Sequence, residues 1–271
     1  METQLHPGFF DAKRIDFGKF WDLAIPLNDG AANPQAFGIN PPRFEVFRAG
    51  TFVGDVAQGG ACNVVGVQVN PHGNGTHTEC AGHIGASASD DYAQNCGPGT
   101  CLTLDQALTT FWFDALLITV PARLTRPEQP GQFWVARQDL EQALGKWGKR
   151  LPTALVVRSL PDLPDPRTRN YTGQNPPAFE PAALEWLALG GVQHLLTDLP
   201  SVDPEQDGGL LLAHRGFWFP EGRCRKNATI TEMMVAVDEI QDGPYALNLM
   251  VPRWALDAAP SRPVLYALLP D

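Results

Sequence analysis

Charged residues are scarce in this sequence, at 18% of 271 positions, where about a quarter is usual. Lysine and arginine (20) are outnumbered by aspartate and glutamate (30), which gives a formal net charge of -10. Nucleic acids and anionic membranes require a basic face, so neither is expected as a partner. No apolar run approaches the roughly 18 residues of a membrane-spanning helix. The first residues also lack the apolar segment of a signal peptide.

Cysteine is present at five positions, and no two of them form a C-x2-C pair. A disulfide framework is typical of small secreted chains, so an odd count in a large chain without an export signal favours reduced thiols. The absence of paired cysteines also excludes the usual structural zinc site. These features together predict a cytoplasmic protein.

Glycine (26) and proline (25) are plentiful and 44% of residues are hydrophobic, which indicates a loop-rich globular chain with a large core. Two predicted helices each lie between short apolar runs that predict strands, which is the α/β pattern. No repeat or linker stands out, so a single domain over residues 1–271 is expected. The predicted helices cover 137–148 and 179–191, and the predicted strands cover 63–69, 113–120, 153–160, 192–199, 228–240, 245–251 and 263–269.

Histidine is also scarce, yet three of the six histidines fall within twelve residues of the stretch NPHGNGTHTECAGHI (70–84). If this stretch continues extended from the strand before it, His77, Glu79 and His83 share one face, because side chains alternate with a period of two. Imidazole and carboxylate ligands suit zinc or manganese. His72 is either a further ligand or a loop residue, and the spacing alone also fits ordinary surface positions.

A complete coordination sphere needs ligands from elsewhere in the chain. Glu232 lies in the predicted strand 228–240 on the face of Ile230 and Met234, where a buried carboxylate is costly unless a cation or donors compensate it. Pairing with an arginine, or a solvated sheet edge, would also explain Glu232. His214 is either a ligand or an ordinary core or surface histidine. The aromatic residues at 217–219 form either a pocket wall or core packing.

These segments resemble the cyclase family of metal-dependent hydrolases, which includes bacterial kynurenine formamidase and isatin hydrolase. GTHTECAGH is similar to the family signature H-x-G-T-H-x-D-x-P-x-H, and DLAIPL (22–27) is similar to its D-L-[ST]-x-P-L strand. FEPAALEWLALGGVQHLLTDLPSVDP (179–204) resembles its helix, strand and D-x-P-S-x-D turn. ITEMMVAVDEI (230–240) resembles its I-x-E-x-L-x-N-L element. The resemblance covers most of the chain with order and spacing preserved.

The resemblance implies an α/β fold of the swivelling β/β/α type, with a central mixed sheet or barrel-like core and flanking helices. It implies a centre of one or two divalent cations, Zn²⁺ or Mn²⁺, with His77, Glu79, His214 and Glu232 as ligands. It implies that His83 is the general acid/base. It also implies a small-molecule substrate and a homodimer or larger homo-oligomer.

Three positions depart from the family signature. Gly73 stands where the first signature histidine is expected, and His72 is displaced from it by one residue. Glu79 replaces the usual aspartate and Ala81 replaces the usual proline. A shift of one residue in an extended segment reverses the direction of a side chain. The sequence therefore leaves open whether His72 is a ligand and whether one or two ions bind.

The predicted reaction is metal-dependent hydrolysis of a small amide, lactam or ester, of the arylformamidase kind. A bound cation would lower the pKa of water from about 15.7 to about 7, and His83 would carry the proton to the leaving group. Two alternatives stay open. One is a non-catalytic metal- or ligand-binding protein of the same fold, favoured by Gly73. The other is a redox metalloenzyme on a cupin-like barrel.

Overall fold

A computed structural model describes residues 14–84, 102–124, 131–148, 150–160, 166–237 and 239–269. The strands are β1 (Ile15–Asp22), β2 (Arg43–Val46), β3 (Arg48–Ala49), β4 (Phe52–Val53), β5 (Val65–Gln68), β6 (His77–Cys80), β7 (Trp112–Arg123), β8 (Trp134–Val135), β9 (Ala154–Leu160), β10 (Ala178–Phe179), β11 (His194–Thr197), β12 (Thr229–Glu232), β13 (Gly243–Asn248), β14 (Ala258–Pro260) and β15 (Val264–Leu268). The α-helices are α1 (Pro71–Asn74), α2 (Leu104–Ala107), α3 (Arg137–Gly145), α4 (Pro181–Leu189) and α5 (Leu212–Trp218). Short 3-10 turns cover Val56–Gln58, Ala81–Ile84 and Pro220–Gly222.

Within the described residues, a mixed sheet of 11 strands organises the fold, with the main order β1-β15-β13-β7-β9-β11-β12-β6-β14. Its centre is parallel, because β7, β9, β11 and β12 pair in the same direction. Antiparallel strands extend it on both sides, β13, β15 and β1 on one and β6 and β14 on the other. The predicted α/β class with a central mixed sheet is confirmed.

The central strands are buried on both faces, as their continuous apolar sequences require. In β7, Leu116 and Ile118 join the core that α3, α4 and α5 cover. Ala115 and Leu117, which alternate with them, join the core on the opposite face, where Leu104 of α2 packs. The two helix predictions are confirmed, because α3 and α4 lie within 137–148 and 179–191.

Two strand predictions need correction. The segment 228–240 continues as a strand only to Glu232, because Met233 adopts a left-handed backbone with φ of 52°. Met234 therefore does not continue the face of Glu232 and Ile230. The segment 63–69 forms β5, which pairs with β2 as a separate exposed ribbon and does not run into β6. Helix α1 separates the two strands.

Helix α5 lies between the predicted strands 192–199 and 228–240, where the sequence predicts no helix. It has no side-chain cap of its own at its first residue. Instead, the carboxylate of Asp203 accepts the backbone N–H groups of Ala213 at 2.8 Å and His214 at 3.0 Å. The open N–H groups of a helix start are usually satisfied by a neighbouring residue. Here the acceptor comes from ten positions upstream, which no local pattern predicts.

The expectation of reduced thiols is wrong for Cys224, which is disulfide-bonded. Cys62 and Cys80 are thiols, and Cys96 and Cys101 lie outside the described residues. Disulfides persist mainly in oxidising compartments, so the cytoplasmic location stays a prediction that Cys224 does not support. Across the described ranges, every helix is too short or too polar to cross a membrane.

Candidate metal centre

Strand β6 is the base of the candidate site. It is buried at all four positions and lies between β12 and β14 in the sheet. His77 and Glu79, two residues apart, point to the same side of this strand. His77 is opposite Glu232 in the pairing with β12, and Glu79 is opposite Ala258 of β14. The sheet therefore brings Glu232 beside His77 although 155 residues separate them in the sequence.

His72 reaches the site from α1. The side chain of Asn70 accepts the N–H of His72 and Pro71 occupies the first turn, so Asn70 and Pro71 begin a helix. A shift of one residue does not reverse the side chain here, because this segment is helical and not extended. Nδ1 of His72 lies 3.2 Å from Oε2 of Glu79.

Packing explains the glycine at the position of the first signature histidine. A Cβ atom at Gly73 would lie 2.6 Å from the side chain of Ile39, so no larger residue fits there without moving Ile39. The histidine one position earlier supplies the imidazole instead. The rings of His72 and His77 have their centroids 5.1 Å apart at an angle of 73°.

His83 stands on the 3-10 turn Ala81–Ile84 that ends β6 and not on an extension of the strand. Its Nε2 nevertheless lies 3.7 Å from Oε2 of Glu79, and its Nδ1 lies 3.1 Å from Oδ2 of Asp257. The ring stacks on that of His72 with centroids 4.3 Å apart. The side chain is 27% exposed, so His83 lies at the open side of the cluster.

The turn that carries His83 depends on Gly82. A Cβ atom there would lie 1.9 Å from the carbonyl oxygen of Leu102. We expect Gly82→Ala to lower the free energy of unfolding by about 1–3 kcal/mol, the usual cost of overpacking. Gly145→Ala is the matched control, since a Cβ atom there meets nothing within 4 Å. Urea unfolding of both variants tests this, and a Gly82→Ala protein as stable as the wild type would contradict it.

His214 and Glu232 close the inner side of the cluster. Nε2 of His214 lies 2.9 Å from Oε1 of Glu79, and its Nδ1 lies 2.6 Å from Oδ2 of Asp203. Glu232 lies 3.4 Å from Nε2 of His77 and 3.6 Å from Nε2 of His214. Its Oε1 also accepts the backbone N–H of Val202 at 2.8 Å, which fixes the carboxylate.

The buried carboxylates perturb the histidines strongly. Burial alone would lower the pKa of His72, but hydrogen bonds to Asp257 and Glu79 raise it to about 10. Burial likewise disfavours charge on His214, but the charge of Glu79 and the hydrogen bond to Asp203 hold its pKa well above the ordinary value. The pKa of Glu79 is well below its ordinary value because the charges of His83 and His214 outweigh burial. The cluster thus attracts positive charge, as protons or as a cation.

The donor set fits a divalent cation. Nε2 of His77 is buried without a hydrogen-bond partner among the described residues, an arrangement that normally costs about 1–3 kcal/mol. Ligand atoms of His72, His77 and Glu79 lie within 4.8 Å of one another, as do those of Glu79, His83 and His214. Nitrogen and oxygen ligands of this kind suit zinc or manganese. Glu79 belongs to both sets.

The structure thus brings together all six predicted site residues: His72, His77, Glu79, His83, His214 and Glu232. Their roles as ligands and acid/base stay predictions. Two contacting carboxylates were missed. Asp203 ends the D-x-P-S-x-D turn, so a signal for it was present, whereas nothing in the sequence around Asp257 indicated a site.

The aromatic residues after His214 belong to the core. Trp218 is fully buried there, and its ring also lies 5.2 Å from that of His214. Phe217 is core, with the guanidinium of Arg225 4.8 Å above its ring. Phe219 is partly buried and packs against the same core.

Several solved structures share this fold over nearly the whole chain. A structure described as a novel cyclase is 19% identical, with a TM-score of 0.64, covering 93% of this chain and 90% of its own. Isatin hydrolase A from Labrenzia aggregata, bound to benzyl benzoate, is 15% identical with a TM-score of 0.62 and coverages of 93% and 94%. A "predicted metal-dependent hydrolase" from Bacillus stearothermophilus is 13% identical with a TM-score of 0.55 and coverages of 92% and 98%.

The sequence itself matches a family model. The model of the Cyclase family matches residues 21–204, which is more than half of the chain. The match includes β6 and the 3-10 turn after it, and so the segment that holds His72, His77, Glu79 and His83. The chain therefore belongs to the cyclase family.

Proposed function

We propose that this protein is a metal-dependent hydrolase of a small amide, lactam or ester. The observation that carries the proposal is the environment of Glu79. This carboxylate is fully buried, and imidazoles from α1, α5 and the turn after β6 surround it. A buried charge is retained in proteins when it is paired or holds a cation. Membership of the cyclase family and similarity to structures named as hydrolases support the same function.

The residues would hold one or two cations, zinc or manganese. His72, His77, Glu79, His214 and Glu232 would supply the ligands, since their nitrogen and oxygen atoms meet around Glu79 and His77. Asp203 would orient His214, because an imidazole whose Nδ1–H donates to a carboxylate presents Nε2 as a ligand. The backbone N–H of Val202 would hold the carboxylate of Glu232 in place, because it donates to Oε1.

A divalent cation, when bound, would polarise the substrate carbonyl and lower the pKa of a water molecule to about 7. His83 would accept a proton on Nε2, the nitrogen that faces Glu79, and transfer it to the leaving nitrogen or oxygen. Its partial exposure leaves room for a substrate beside it. Trp218 would exclude water from the inner wall of the site.

The non-catalytic alternative depended on the loss of a ligand at Gly73. His72 weakens that alternative, because it lies against Glu79 and supplies an imidazole. The cupin-like redox alternative requires a barrel of antiparallel strands. Here β7, β9, β11 and β12 are parallel, which does not fit that architecture.

The test is metal addition combined with an activity panel. We expect zinc or manganese at about 100 times its Kd to raise the free energy of unfolding by about 2.7 kcal/mol. We expect the loaded protein to hydrolyse at least one of an N-aryl formamide, a cyclic amide such as isatin, and a p-nitrophenyl ester. Bound metal without turnover on any of them would favour the non-catalytic alternative. Failure to bind either metal would overturn the proposal.

A further inference from the structure

A carboxylate outside the proposed ligand set touches two imidazoles of the site. Oδ2 of Asp257 lies 3.1 Å from Nδ1 of His83 and 3.4 Å from Nε2 of His72. In each ring the other nitrogen faces Glu79, at 3.7 Å for His83 and 3.2 Å for His72. One oxygen of Asp257 therefore contacts the outer nitrogen of both rings.

We infer that Asp257 is a positioning residue that holds His72 and His83 with their inner nitrogens directed at Glu79. The inference deepens the proposed hydrolase function and rests on it. An imidazole that donates N–H on one side keeps a lone pair on the other. For His72 that lone pair is a ligand for a cation. For His83 it is the acceptor that takes up a proton.

The stacking of the two rings makes this shared contact effective. Their centroids are 4.3 Å apart at an angle of 28°, so neither ring turns about its Cβ bond without disturbing the other. A 180° flip of either ring would replace the nitrogen that faces Glu79 with a ring carbon, which neither binds a cation nor accepts a proton. A carboxylate on the outer nitrogens penalises such a flip, in the way that outer carboxylates fix metal-bound histidines in other proteins.

The backbone holds Asp257 firmly against the site. Its carbonyl oxygen accepts the N–H of Cys80 at 3.0 Å, and the next residue, Ala258, pairs with Glu79 in the sheet. The preceding residue, Leu256, accepts the N–H of Leu104 at 2.7 Å. Asp257 is thus attached to the same strand that carries His77 and Glu79. His72 stands on helix α1, one residue before the usual signature position. From there its Nε2 lies 3.4 Å from Oδ2 of Asp257.

A rival explanation is that Asp257 is itself a ligand of a cation. Ligand atoms of His72, His83 and Asp257 also lie within 4.8 Å of one another. A cation there would occupy the outer nitrogens of both rings and turn His83 from acid/base into ligand. The two roles differ in the metal content of Asp257 variants, so the same experiment separates them.

The experiment compares Asp257→Asn and Asp257→Ala with the control Asp22→Asn in zinc-loaded protein. Asp22 is as exposed as Asp257, at 33% of its side chain, and pairs with Arg262 on the surface. We expect kcat to fall about 10–100-fold in both Asp257 variants, with KM little changed, and to stay unchanged in the control. We also expect ¹⁵N-histidine NMR to show His83 protonated on Nδ1 in the wild type and shifted toward the Nε2–H tautomer in Asp257→Ala.

Three outcomes would overturn the inference. The first is an unchanged His83 tautomer in Asp257→Ala. The second is a wild-type kcat in both Asp257 variants. The third is the loss of one whole equivalent of zinc in Asp257→Asn, which would make Asp257 a ligand. If the wild type itself lacks turnover, the proposed hydrolase function fails, and the tautomer measurement still decides the role of Asp257. Should Asp257→Ala fold poorly, the kcat and zinc content of Asp257→Asn decide it.

Discussion

Replacement of Glu79 by glutamine is expected to abolish metal binding and to lower kcat/KM by about 100-fold or more. Loss of a residue that only orients a metal ligand typically lowers metal affinity or activity by about 10–100-fold. Loss of a ligand itself is expected to lower them at least as much. Glu79 is fully buried, and its oxygens lie 2.9 to 3.7 Å from nitrogens of His72, His83 and His214. A neutral amide removes the negative charge around which these imidazoles are arranged.

Two further variants make the Glu79 test specific. Glu141→Gln removes a carboxylate that is 44% exposed and pairs with Arg137 on the surface of α3, so we expect normal metal content and activity. Glu79→Asp restores the residue that the family signature has at this position, and we expect it to retain metal. Metal analysis by mass spectrometry and steady-state assays give both readouts. A Glu79→Gln protein with full metal content and normal turnover would refute a central role for this carboxylate.

Replacement of His83 by alanine is expected to lower kcat by about 10²–10⁴-fold, the usual contribution of a general acid/base. The effect on metal content is expected to be small, because His72, His77, His214 and Glu232 all remain. The large kinetic effect is expected because of where His83 lies in the site. His83 is the partly exposed imidazole at the open side of the site, with Nε2 toward Glu79 and Nδ1 on Asp257.

Metal content and thermal stability of His83→Ala serve as the internal controls for that measurement. A loss of kcat with metal retained and an unchanged melting temperature assigns proton transfer to His83. A loss of kcat together with metal would instead make His83 a ligand, as its proximity to Glu79 and His214 also allows. Normal turnover with metal retained would remove His83 from the mechanism.

The residues of the site could be named from local patterns together with the resemblance to the cyclase family, and their roles as ligands stay predictions. The alternation of His77 and Glu79 on one face needs only the period of a strand. Glu232 was recognisable as a carboxylate in an apolar strand, and it is indeed buried with 3% exposure. His83 lies near Glu79, but the prediction of a continued strand is wrong, because a 3-10 turn brings His83 there.

His72 shows where a local rule was applied to the wrong structure. A one-residue shift reverses a side chain in an extended segment, whereas Asn70 and Pro71 begin a short helix in which successive side chains do not point to opposite faces. Asn-Pro was a recognisable helix start. The reason that position 73 is glycine lies in the packing of Ile39, which is 34 residues away and beyond any local pattern.

Asp203 and Asp257 depend on contacts between distant parts of the chain. Asp203 caps α5 and holds His214 from a loop that follows β11. Asp257 reaches His72 and His83 because β14 pairs with β6, a contact between segments about 180 residues apart. Such pairings follow from the sheet order, and the sequence alone predicted strands without their order.

The most direct test of the central claim is anomalous diffraction from crystals grown with zinc or manganese. The account predicts an ion beside Glu79 within about 2.0–2.2 Å of its carboxylate and of imidazole nitrogens from His72 or His77. A second ion, if bound, should lie beside Glu79 and His214, whose Oε1 and Nε2 are 2.9 Å apart. Crystals that contain excess metal but show no anomalous peak among these side chains would contradict the account.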